Sequence, residues 1–389
     1  MILKFDDKNL IEYLKKTSYL TGFKSYIVGG YLRDYFLGFK NYDIDITVEG
    51  DGINFAETLN SFLKGSLKTY STFNTATIKY KNIILDIVSA RKEYYIKPAV
   101  LPKIEFSDIY EDLKRRDFTI NTIAYDVLDD KIIDYFGGLK DLEDKKIKIL
   151  HNKSFIDDPT RIFRGIKYSI RYDFLLDKMT EDLLIYAINS GYLTIVSPDR
   201  IRNEFFLILK EKKITDIIEK LIFYRITDQI FKDIQLNTYN LEKCSVQDMD
   251  LVLCRFLIIF YNINLDNLEQ LKYYLNLNKY FYSSLKKLIE VKNKLNSDKE
   301  SFEVLNLLDK NIIKIFDMMG NNKVLKILSS KPAITGKDIK AYGIKPGPLY
   351  SKILKKVFDA KYKGIIYNKN DEIKFLQELI TKIWKGEFF

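Results

Sequence analysis

Two glycines and an arginine near the start of the chain have the types and spacing of a phosphate-binding turn. Gly29 and Gly30 follow a β-prone run over 25–28, and the apolar spacing after them is that of a helix. A helix N-terminus presents unpaired N–H groups and a partial positive charge, and glycine lets a phosphate approach the backbone closely. Arg33 adds a forked donor for phosphate oxygens. Alone, the pattern fits an ordinary strand–turn–helix junction equally well.

Two aspartates follow the glycines at a spacing that suits a metal ion. Polar and apolar residues alternate over 43–48, which predicts a strand with Asp43 and Asp45 on one face. Two such carboxylates repel each other unless a cation lies between them, and Mg²⁺ is commonly held by one or two carboxylates plus substrate phosphates. An isolated Asp-x-Asp is more simply a solvated strand face. The glycine turn just upstream favours metal-assisted chemistry on a nucleotide.

A third acid, Asp86, interrupts the β-branched run 83–88, which predicts a buried central strand. A buried, unpaired aspartate is costly, so Asp86 should face a cation, an arginine or the other two acids. We therefore keep two interpretations open: a third catalytic carboxylate, or a structural salt bridge to Arg91.

Composition points to a nucleic-acid partner. The chain has 389 residues, of which 47% are hydrophobic, so it can bury the cores of two or more domains. Its formal net charge is +10 and its pI is near 9.0, and such a balance favours a polyanionic partner.

Cysteine and histidine usage excludes other classes of protein. Cys244 and Cys254 are the only cysteines and His151 is the only histidine, which argues against a zinc site and fits a reduced, cytoplasmic protein. No signal-peptide pattern is present, and no apolar stretch approaches the roughly 20 residues needed to cross a bilayer. We expect a soluble protein.

Strand and helix patterns divide the chain unequally. Strand-like runs mixed with helices extend to about residue 151, at 26–28, 44–48, 75–80 and 83–88. Helical periodicity dominates from 158 onward, most clearly at 161–172, 181–188, 200–209 and 214–223. Later segments interleave tyrosines with lysines. Each of those tyrosines is more simply a packing residue, but together they suit the backbone and bases of RNA.

A second group of charged residues lies near the end of the strand-containing region. Arg115 and Arg116 stand before a predicted helix that Asp117 or Thr119 could cap, where they would hold a triphosphate or form an exposed charged turn. Further on, an acidic N-cap and a proline at the first helical position predict a helix that places Asp158 and the basic residues about one turn apart. These basic residues are Arg161, Arg164 and Lys167.

In these motifs the chain resembles the class II tRNA nucleotidyltransferases, which include the bacterial CCA-adding enzymes and their poly(A) polymerase relatives. The matching blocks are Gly29 to Asp34, Asp43-x-Asp45, Leu113 to Asn121, Asp134 to Gly138, Asp157 to Arg164, Ser197 to Glu204, Ile334 to Ile339 and Lys345 to Pro348. The resemblance spans essentially the whole chain, and its specificity lies in the ordered co-occurrence of the blocks.

The resemblance implies an α+β fold with a small nucleotidyltransferase head, which contains a mixed sheet, followed by an all-helical neck, body and tail. We place the head at 1–150, the neck at 151–215, and the body and tail, both tRNA-binding, at 216–325 and 326–389. It implies addition of CMP and AMP, from CTP and ATP, to the tRNA 3′ end without a nucleic-acid template. No membrane and no stable protein partner are expected.

The resemblance also assigns roles to single residues. Asp43 and Asp45 would bind Mg²⁺, two ions during catalysis, with Asp86 as the further catalytic candidate. The triphosphate would be held by Gly29, Gly30, Arg33 and Arg116. Asp158 and Arg161 would recognise the base, with Arg164 and Lys167 in support. Arginine offers only donors and aspartate only acceptors, so together they can complement the edge of cytosine or adenine, and a wrong base would leave a buried group unpaired.

Two positions depart from the family pattern. The usual glutamate–aspartate pair that opens the neck helix is Asp157-Asp158, a mild change. The last arginine of the row is Lys167, which keeps the charge but loses the forked geometry.

Three alternatives stay open. Poly(A) polymerases usually carry a basic segment after the Asp-x-Asp strand, where this chain has 71–77, and no long basic C-terminal extension is present. The loop segment 91–111 has a length that argues against a CC-adding form and leaves full CCA addition or addition of the terminal A. A catalytically inactive RNA-binding protein is the remaining alternative.

Overall fold

The computed structural model describes residues 8–244, 250–295 and 301–387. The chain forms two compact units, Met1–Lys232 and Asp233–Phe389. None of the helices in the described ranges combines the length and the apolar character that crossing a membrane requires.

The first unit is built on a mixed sheet. Its strands are β1 Lys24–Val28, β2 Asp43–Glu49, β3 Ser66–Tyr70, β4 Thr75–Tyr80, β5 Ile83–Ser89, β6 Arg91–Tyr94, β7 Lys103–Phe106, β8 Ala124–Asp126, β9 Lys131–Ile133, β10 Lys146–Ile147 and β11 Leu175–Leu176. Seven of them form one sheet in the order β3-β4-β5-β2-β1-β8-β9, while β6 pairs with β7 and β10 with β11. The predicted strands are confirmed to within one or two residues.

The centre of the large sheet carries the acidic residues. Strands β2 and β5 are its parallel pair, and their register sets Asp45 directly beside Asp86. Alternate residues of β5 are buried, among them Leu85 and Ile87, which are fully buried. Since side chains alternate across a strand, the apolar face packs into the core and leaves the acids on the opposite face.

Helices flank this sheet and continue after it. In the first unit they are α1 Lys8–Thr21, α2 Gly30–Phe36, α3 Gly52–Leu63, α4 Ile109–Lys114, α5 Gly138–Glu143, α6 Ser154–Asp157, α7 Arg161–Tyr172, α8 Lys178–Asn189, α9 Pro198–Ile208, α10 Ile214–Phe223 and α11 Ile226–Ile230. The α+β class is confirmed. The two-residue strand β11 is a correction within the neck, 151–215, which we expected to be all-helical.

The second unit is helical throughout its described residues. Its helices are α12 Leu251–Ile259, α13 Leu265–Leu275, α14 Lys279–Leu295, α15 Ser301–Val304, α16 Lys310–Met318, α17 Asn322–Ser329, α18 Gly336–Ala341, α19 Pro348–Tyr362 and α20 Lys369–Trp384. The buried Glu372 accepts hydrogen bonds from the N–H groups of Ala333 and Ile334, at 2.7 and 3.0 Å, and from Lys361 Nζ at 2.7 Å. This fully partnered buried carboxylate ties α20 to the segment before α18 and to the C-terminal end of α19.

Two predicted helix starts are wrong. The residues after Arg116 form only a short 3-10 turn, Thr119–Asn121, because Asp117 accepts from the Phe118 N–H and from the Asn121 side chain instead of capping an α-helix. The neck helix α7 begins at Arg161, with Thr160 rather than Asp158 as its N-cap.

Candidate active site

The glycine turn brings the backbone against two of the predicted site residues. Gly29 has φ of +72°, and a Cβ there would lie 2.8 Å from Arg116 Nη1 and 3.1 Å from Asp45 Oδ2. A side chain at this position would be strained and would also collide with both groups. Gly30 is the first residue of α2, and its own Cβ position is 3.3 Å from Arg33 Nη2. The turn is therefore an integral wall of the site.

The two aspartates of β2 differ in their surroundings. Asp43 is exposed at the first position of the strand, while Asp45 is half-buried beside Asp86. Burial raises the pKa of Asp45; the charge of Arg116 opposes that rise, and the neighbouring Asp86 and Asp43 add to it. The strand thus concentrates negative charge that a bound cation would relieve.

Asp86 does not make the salt bridge that was one of its two interpretations. Its Oδ1 accepts a hydrogen bond from Thr77 Oγ1 at 2.6 Å, and Arg91 pairs with Glu93 at 3.1 Å. That bridge is excluded because Arg91 lies beyond the end of β5 and is drawn into the β6–β7 hairpin.

The acidic face fits a hard cation with ligands from outside the protein. Within the described residues, no group of three or more His, Cys, Asp or Glu side chains is placed to hold a metal ion by itself. Asp43 and Asp45 share a face of β2 and supply oxygen ligands. Mg²⁺ keeps water and phosphate ligands and needs only one or two carboxylates, so this donor set suits it.

Arg116 is oriented by a carboxylate that we did not predict. Asp112 is fully buried and accepts from Arg116 Nη2 at 3.0 Å and from Arg115 Nη2 at 2.7 Å. Burial opposes ionisation of Asp112, but Arg116 and Arg115 outweigh it and hold its pKa below the ordinary value. Arg116 Nε is buried without a hydrogen-bond partner in the structure. The sequence signal was an acid three and four residues before two arginines.

Arg33 is held by protein groups to a greater degree than we predicted. It is 4% exposed, its Nε and Nη2 donate to Asp34 Oδ1 at 3.0 and 2.9 Å, and its Nη1 donates to Asn121 Oδ1 at 2.6 Å. The guanidinium also lies over the rings of Tyr168 and Tyr172, at 5.0 and 4.8 Å. Since the forked edge faces Asp34, a two-point contact to phosphate is not preformed.

Asp158 and Arg161 are brought together by a turn instead of by one face of a helix. The backbone of Asp158 is extended, and its Oδ1 accepts from the Thr160 N–H at 3.0 Å and from Arg200 Nη2 at 2.6 Å. Arg161 is 4% exposed and donates to Ser154 Oγ at 2.6 Å and to the Arg115 carbonyl at 2.7 Å. Both residues are thus held in place by the protein before any base is present.

The next two basic residues of α7 face buried carboxylates. Arg164 Nη2 lies 2.8 Å from Asp117 Oδ2. Burial alone would raise the pKa of Asp117, but the charge of Arg164 and further partners outweigh burial, so this pKa is lowered. Lys167 Nζ is 3.7 Å from Glu204 Oε2, and burial raises the pKa of Glu204 despite that charge. These contacts tie α7 to the turn that follows α4 and to α9.

The segment between β6 and β7 closes one side of the site. Arg200 donates through Nη1 to the Ala99 carbonyl at 2.8 Å while its Nη2 holds Asp158. The Ala99 N–H in turn donates to the Asp157 carbonyl at 3.2 Å. We had matched the block 197–204 to the family without assigning Arg200 a role, because nothing in the sequence showed which residues it would contact.

A cavity of about 550 Å³ in the first unit gathers most of the predicted residues. Of the eleven predicted site residues, nine line it: Gly29, Gly30, Arg33, Asp45, Asp86, Arg116, Asp158, Arg161 and Arg164. Asp43 and Lys167 are outside its lining, Asp43 at the exposed start of β2 and Lys167 beneath α9. Tyr95, Leu101 and Pro102 complete the wall on the side of the β6–β7 connection.

Known proteins are similar to this chain in both sequence and structure. The sequence model of the poly(A) polymerase head domain matches residues 25–148, and that of the probable RNA- and SrmB-binding site of polymerase A matches 174–237. An A-adding tRNA nucleotidyltransferase of Geobacter sulfurreducens is 31% identical over 91% of this chain, which spans 45% of that relative. That of Aquifex aeolicus is 41% identical over 57% of this chain and 27% of its own length.

Matches over nearly the full length of both chains also occur. The A-adding tRNA nucleotidyltransferase of Halalkalibacterium halodurans is 29% identical over 92% of this chain and 88% of its own. An apo structure of a CCA-adding enzyme superposes with a TM-score of 0.79 at 29% identity, covering 96% of each chain. The Thermotoga maritima CCA-adding enzyme complexed with tRNA gives 0.73 at 27% identity, over 96% of this chain and 95% of that one. In sequence and in fold the chain is therefore similar to the tRNA nucleotidyltransferases, and its residues 25–148 match the poly(A) polymerase head domain.

Proposed function

We propose that this protein is a template-independent tRNA nucleotidyltransferase, which transfers nucleotides from ATP or CTP to the tRNA 3′ end and releases pyrophosphate. The observation that carries the proposal is the shared cavity of the first unit. The same cavity is lined by Asp45 of β2 and Asp86 of β5, by Arg116 beside the glycine turn, and by Asp158 and Arg161 at the start of α7. Metal, triphosphate and base-recognition groups thus face one space.

We infer that Asp43 and Asp45 hold Mg²⁺, with two ions during catalysis and with Asp86 beside them. When bound, the metal lowers the pKa of the attacking 3′-hydroxyl and offsets charge on the leaving pyrophosphate. Arg116, oriented by Asp112, is placed to neutralise the triphosphate next to the Gly29 turn. No protein nucleophile is required, because the hydroxyl of the RNA attacks the α-phosphate directly.

Base recognition is assigned to Asp158 and Arg161. Asp158 accepts two hydrogen bonds from Thr160 and one from Arg200 on Oδ1, which leaves Oδ2 as the acceptor turned to a base. The terminal nitrogens of Arg161 donate to Ser154 and to the Arg115 carbonyl, which orients the guanidinium, and the second N–H of each nitrogen is the donor we assign to the nucleotide. A base with the wrong edge would leave a buried donor or acceptor unpaired, which costs about 1–3 kcal/mol.

We propose that the terminal A is among the nucleotides added. Three of the relatives are named A-adding enzymes, and this chain has a β6–β7 hairpin with a connection that reaches Asp158 through Arg200. Full CCA addition is the second candidate, favoured by the similarity to solved CCA-adding enzymes. Both sets of substrates, and the two free thiols, suit the cytoplasm.

One incorporation experiment separates the candidates. Purified protein is incubated with tRNA transcripts that end before the CCA tail, after one C, or after two Cs, with CTP and ATP supplied separately. A-addition alone predicts labelling only of the last transcript with ATP, while full CCA addition predicts labelling of the shorter transcripts with CTP as well. Long A tails on unrelated RNA would instead support a poly(A) polymerase, and no incorporation at all would support an inactive RNA-binding protein.

The second unit supplies a surface suited to the rest of the tRNA. Tyr273 and Tyr280 are exposed on α13 and α14, and Lys272 lies 4.9 Å from the ring centre of Tyr282. Lysines with exposed rings bind phosphates and stack on unpaired bases. We propose that the body and tail, 216–325 and 326–389, carry this contact.

A further inference from the structure

An exposed aromatic ring lies four residues before the first catalytic aspartate and has no role in the chemistry described so far. Phe39 is 55% exposed, in the short segment that joins α2 to β2. A large apolar ring at the surface is common, but this one is anchored on rigid groups close to Asp43. Its position calls for an explanation in terms of what approaches the metal site.

The segment that carries Phe39 is pinned at both ends. The Phe39 N–H donates to the Asp34 carbonyl at 2.9 Å, and Asn41 Nδ2 donates to Asp34 Oδ2 at 2.8 Å. Asn41 Oδ1 accepts from the Asp43 N–H at 2.9 Å. The side chain of Asn41 therefore ties the ring-bearing segment to the backbone of the metal-binding strand, and the ring cannot drift far from Asp43.

The ring itself is supported by an aromatic cluster, which we define as Phe39, Tyr168 and Tyr172 around Arg33. The ring centre of Phe39 is 5.9 Å from that of Tyr172, whose hydroxyl donates to Asp34 Oδ1 at 2.8 Å. Tyr172 and Tyr168 also contact the buried guanidinium of Arg33. Tyr168, at one end of the cluster, is 9% exposed, and Phe39, at the other end, is the most exposed of the three rings. The cluster thus ends in a fixed ring with open surface.

From this geometry we propose that Phe39 is a stacking platform for the 3′-terminal base of the RNA that receives the nucleotide. The inference rests on the proposed function, since that function requires an RNA hydroxyl to reach the carboxylates of β2, where Asp43 is the exposed member. Stacking on a fixed ring tolerates any base and costs little ordering entropy. Lys40, exposed beside Phe39, supplies a positive charge for the adjacent phosphate. An unpaired nucleotide matches both features.

The experiment compares Phe39→Ala and Phe39→Tyr with the wild-type chain on an acceptor-stem RNA hairpin that ends in two unpaired Cs. We expect Phe39→Ala to raise the KM for RNA about tenfold, which corresponds to about 1.4 kcal/mol, with the KM for ATP unchanged. Phe39→Tyr should restore the wild-type value. The control is Tyr19→Ala, a truncation of an exposed ring on α1, which should leave both values unchanged.

A second RNA distinguishes stacking from a structural effect. If the terminal nucleotide is replaced by an abasic one, the KM of the wild type for RNA should rise by about the same tenfold factor. The KM of Phe39→Ala should not rise further. An unchanged KM for RNA in Phe39→Ala would overturn the platform. The platform would also be overturned if Phe39→Ala raised the KM by the same factor over wild type on the normal and on the abasic RNA. A parallel rise in the KM for ATP would overturn it as well.

Binding alone tests the platform if no nucleotide is incorporated. The terminal base is then replaced by 2-aminopurine, whose fluorescence is quenched on stacking. Quenching by wild type and Phe39→Tyr but not by Phe39→Ala supports the platform while the proposed reaction fails. Absence of quenching by the wild type overturns the platform, whatever the activity.

Discussion

At the level of single residues, the site contrasts two carboxylates whose neighbours drive their pKa values in opposite directions. Burial raises the pKa of Asp45; Arg116 opposes the rise, and the nearby Asp86 and Asp43 reinforce it. Asp112 is more deeply buried, yet Arg116 and Arg115 lower its pKa. The difference suits their tasks, because Asp45 gains from a bound cation, whereas Asp112 must stay charged to hold two arginines.

The first prediction concerns Asp43. We expect Asp43→Ala to reduce nucleotide incorporation about 1000-fold or more, because loss of a metal ligand removes several kcal/mol of transition-state stabilisation. The affinity for tRNA, measured by filter binding, should remain near that of the wild type. Asp129→Ala removes an exposed aspartate paired only with Lys131 and serves as the control. Substantial turnover by Asp43→Ala would contradict the metal role.

The second prediction concerns the charge of Asp112. Asp112→Asn leaves Arg115 and Arg116 without their buried counter-charge, so we expect it to cost about 3 kcal/mol in the free energy of unfolding at pH 7 and to raise the KM for ATP. Urea melts at several pH values measure the first effect. Because the pKa of Asp112 is lower in the folded than in the unfolded chain, its stabilising contribution is complete above the unfolded value.

The lowered pKa of Asp112 determines how the stability difference between wild type and Asp112→Asn depends on pH. As pH falls below the unfolded value of about 4 and through the depressed folded value, the contribution of Asp112 is lost, so the curves of wild type and Asp112→Asn should converge there. A difference that stays constant across this acidic range would show that the variant acts through packing instead of charge.

At the level of elements, the proposed base recognition depends on the contact between α9, the start of α7 and the β6–β7 connection. Arg200 is the residue that joins them, since it donates to Asp158 Oδ1 and to the Ala99 carbonyl with two different nitrogens. Arginine makes the two bonds from separate nitrogens of one planar group, whereas lysine has a single nitrogen that would have to reach both acceptors.

The third prediction uses this difference. We expect Arg200→Lys to keep the fold and the charge but to lower the ratio of kcat/KM for the preferred nucleotide over its competitor by about tenfold, which corresponds to one lost hydrogen bond to a charged group. Competition between ATP and CTP on one RNA measures the ratio. Arg202→Lys, in the same helix and paired with Asp199, is the matched control. If both variants showed equal selectivity between the two nucleotides, Arg200 would have no role in positioning the base.

At the level of the whole molecule, the net charge of +10 sets how the protein meets a polyanion. The lysine- and tyrosine-bearing helices of the second unit and the basic groups of the first contribute to it. Because binding to phosphates releases counterions, the observed affinity should depend steeply on salt.

The fourth prediction is that the Kd for tRNA rises at least about tenfold between 50 and 200 mM KCl, while the KM for ATP changes by a smaller factor. The larger effect on tRNA is expected because the RNA contacts many cations over a wide surface. Titrations at four salt concentrations give the slope. A flat dependence would show that shape and stacking, without phosphate contacts, dominate RNA binding.

The sequence by itself determined the strands of the head and the types of residue at the candidate site, and the resemblance of its motifs to a known family supplied the α+β class. Alternation fixed which residues of β2 share a face, and the glycine pair predicted the tight turn before α2, because both depend on local backbone geometry. Only the tertiary structure decided which groups each of these side chains contacts. It turned Arg33 toward Asp34, excluded the bridge between Asp86 and Arg91, and brought Arg200 to Asp158 from another helix. Such contacts join residues distant in the chain, and no local periodicity encodes them, since long-range packing chooses among charges that the sequence makes equally available.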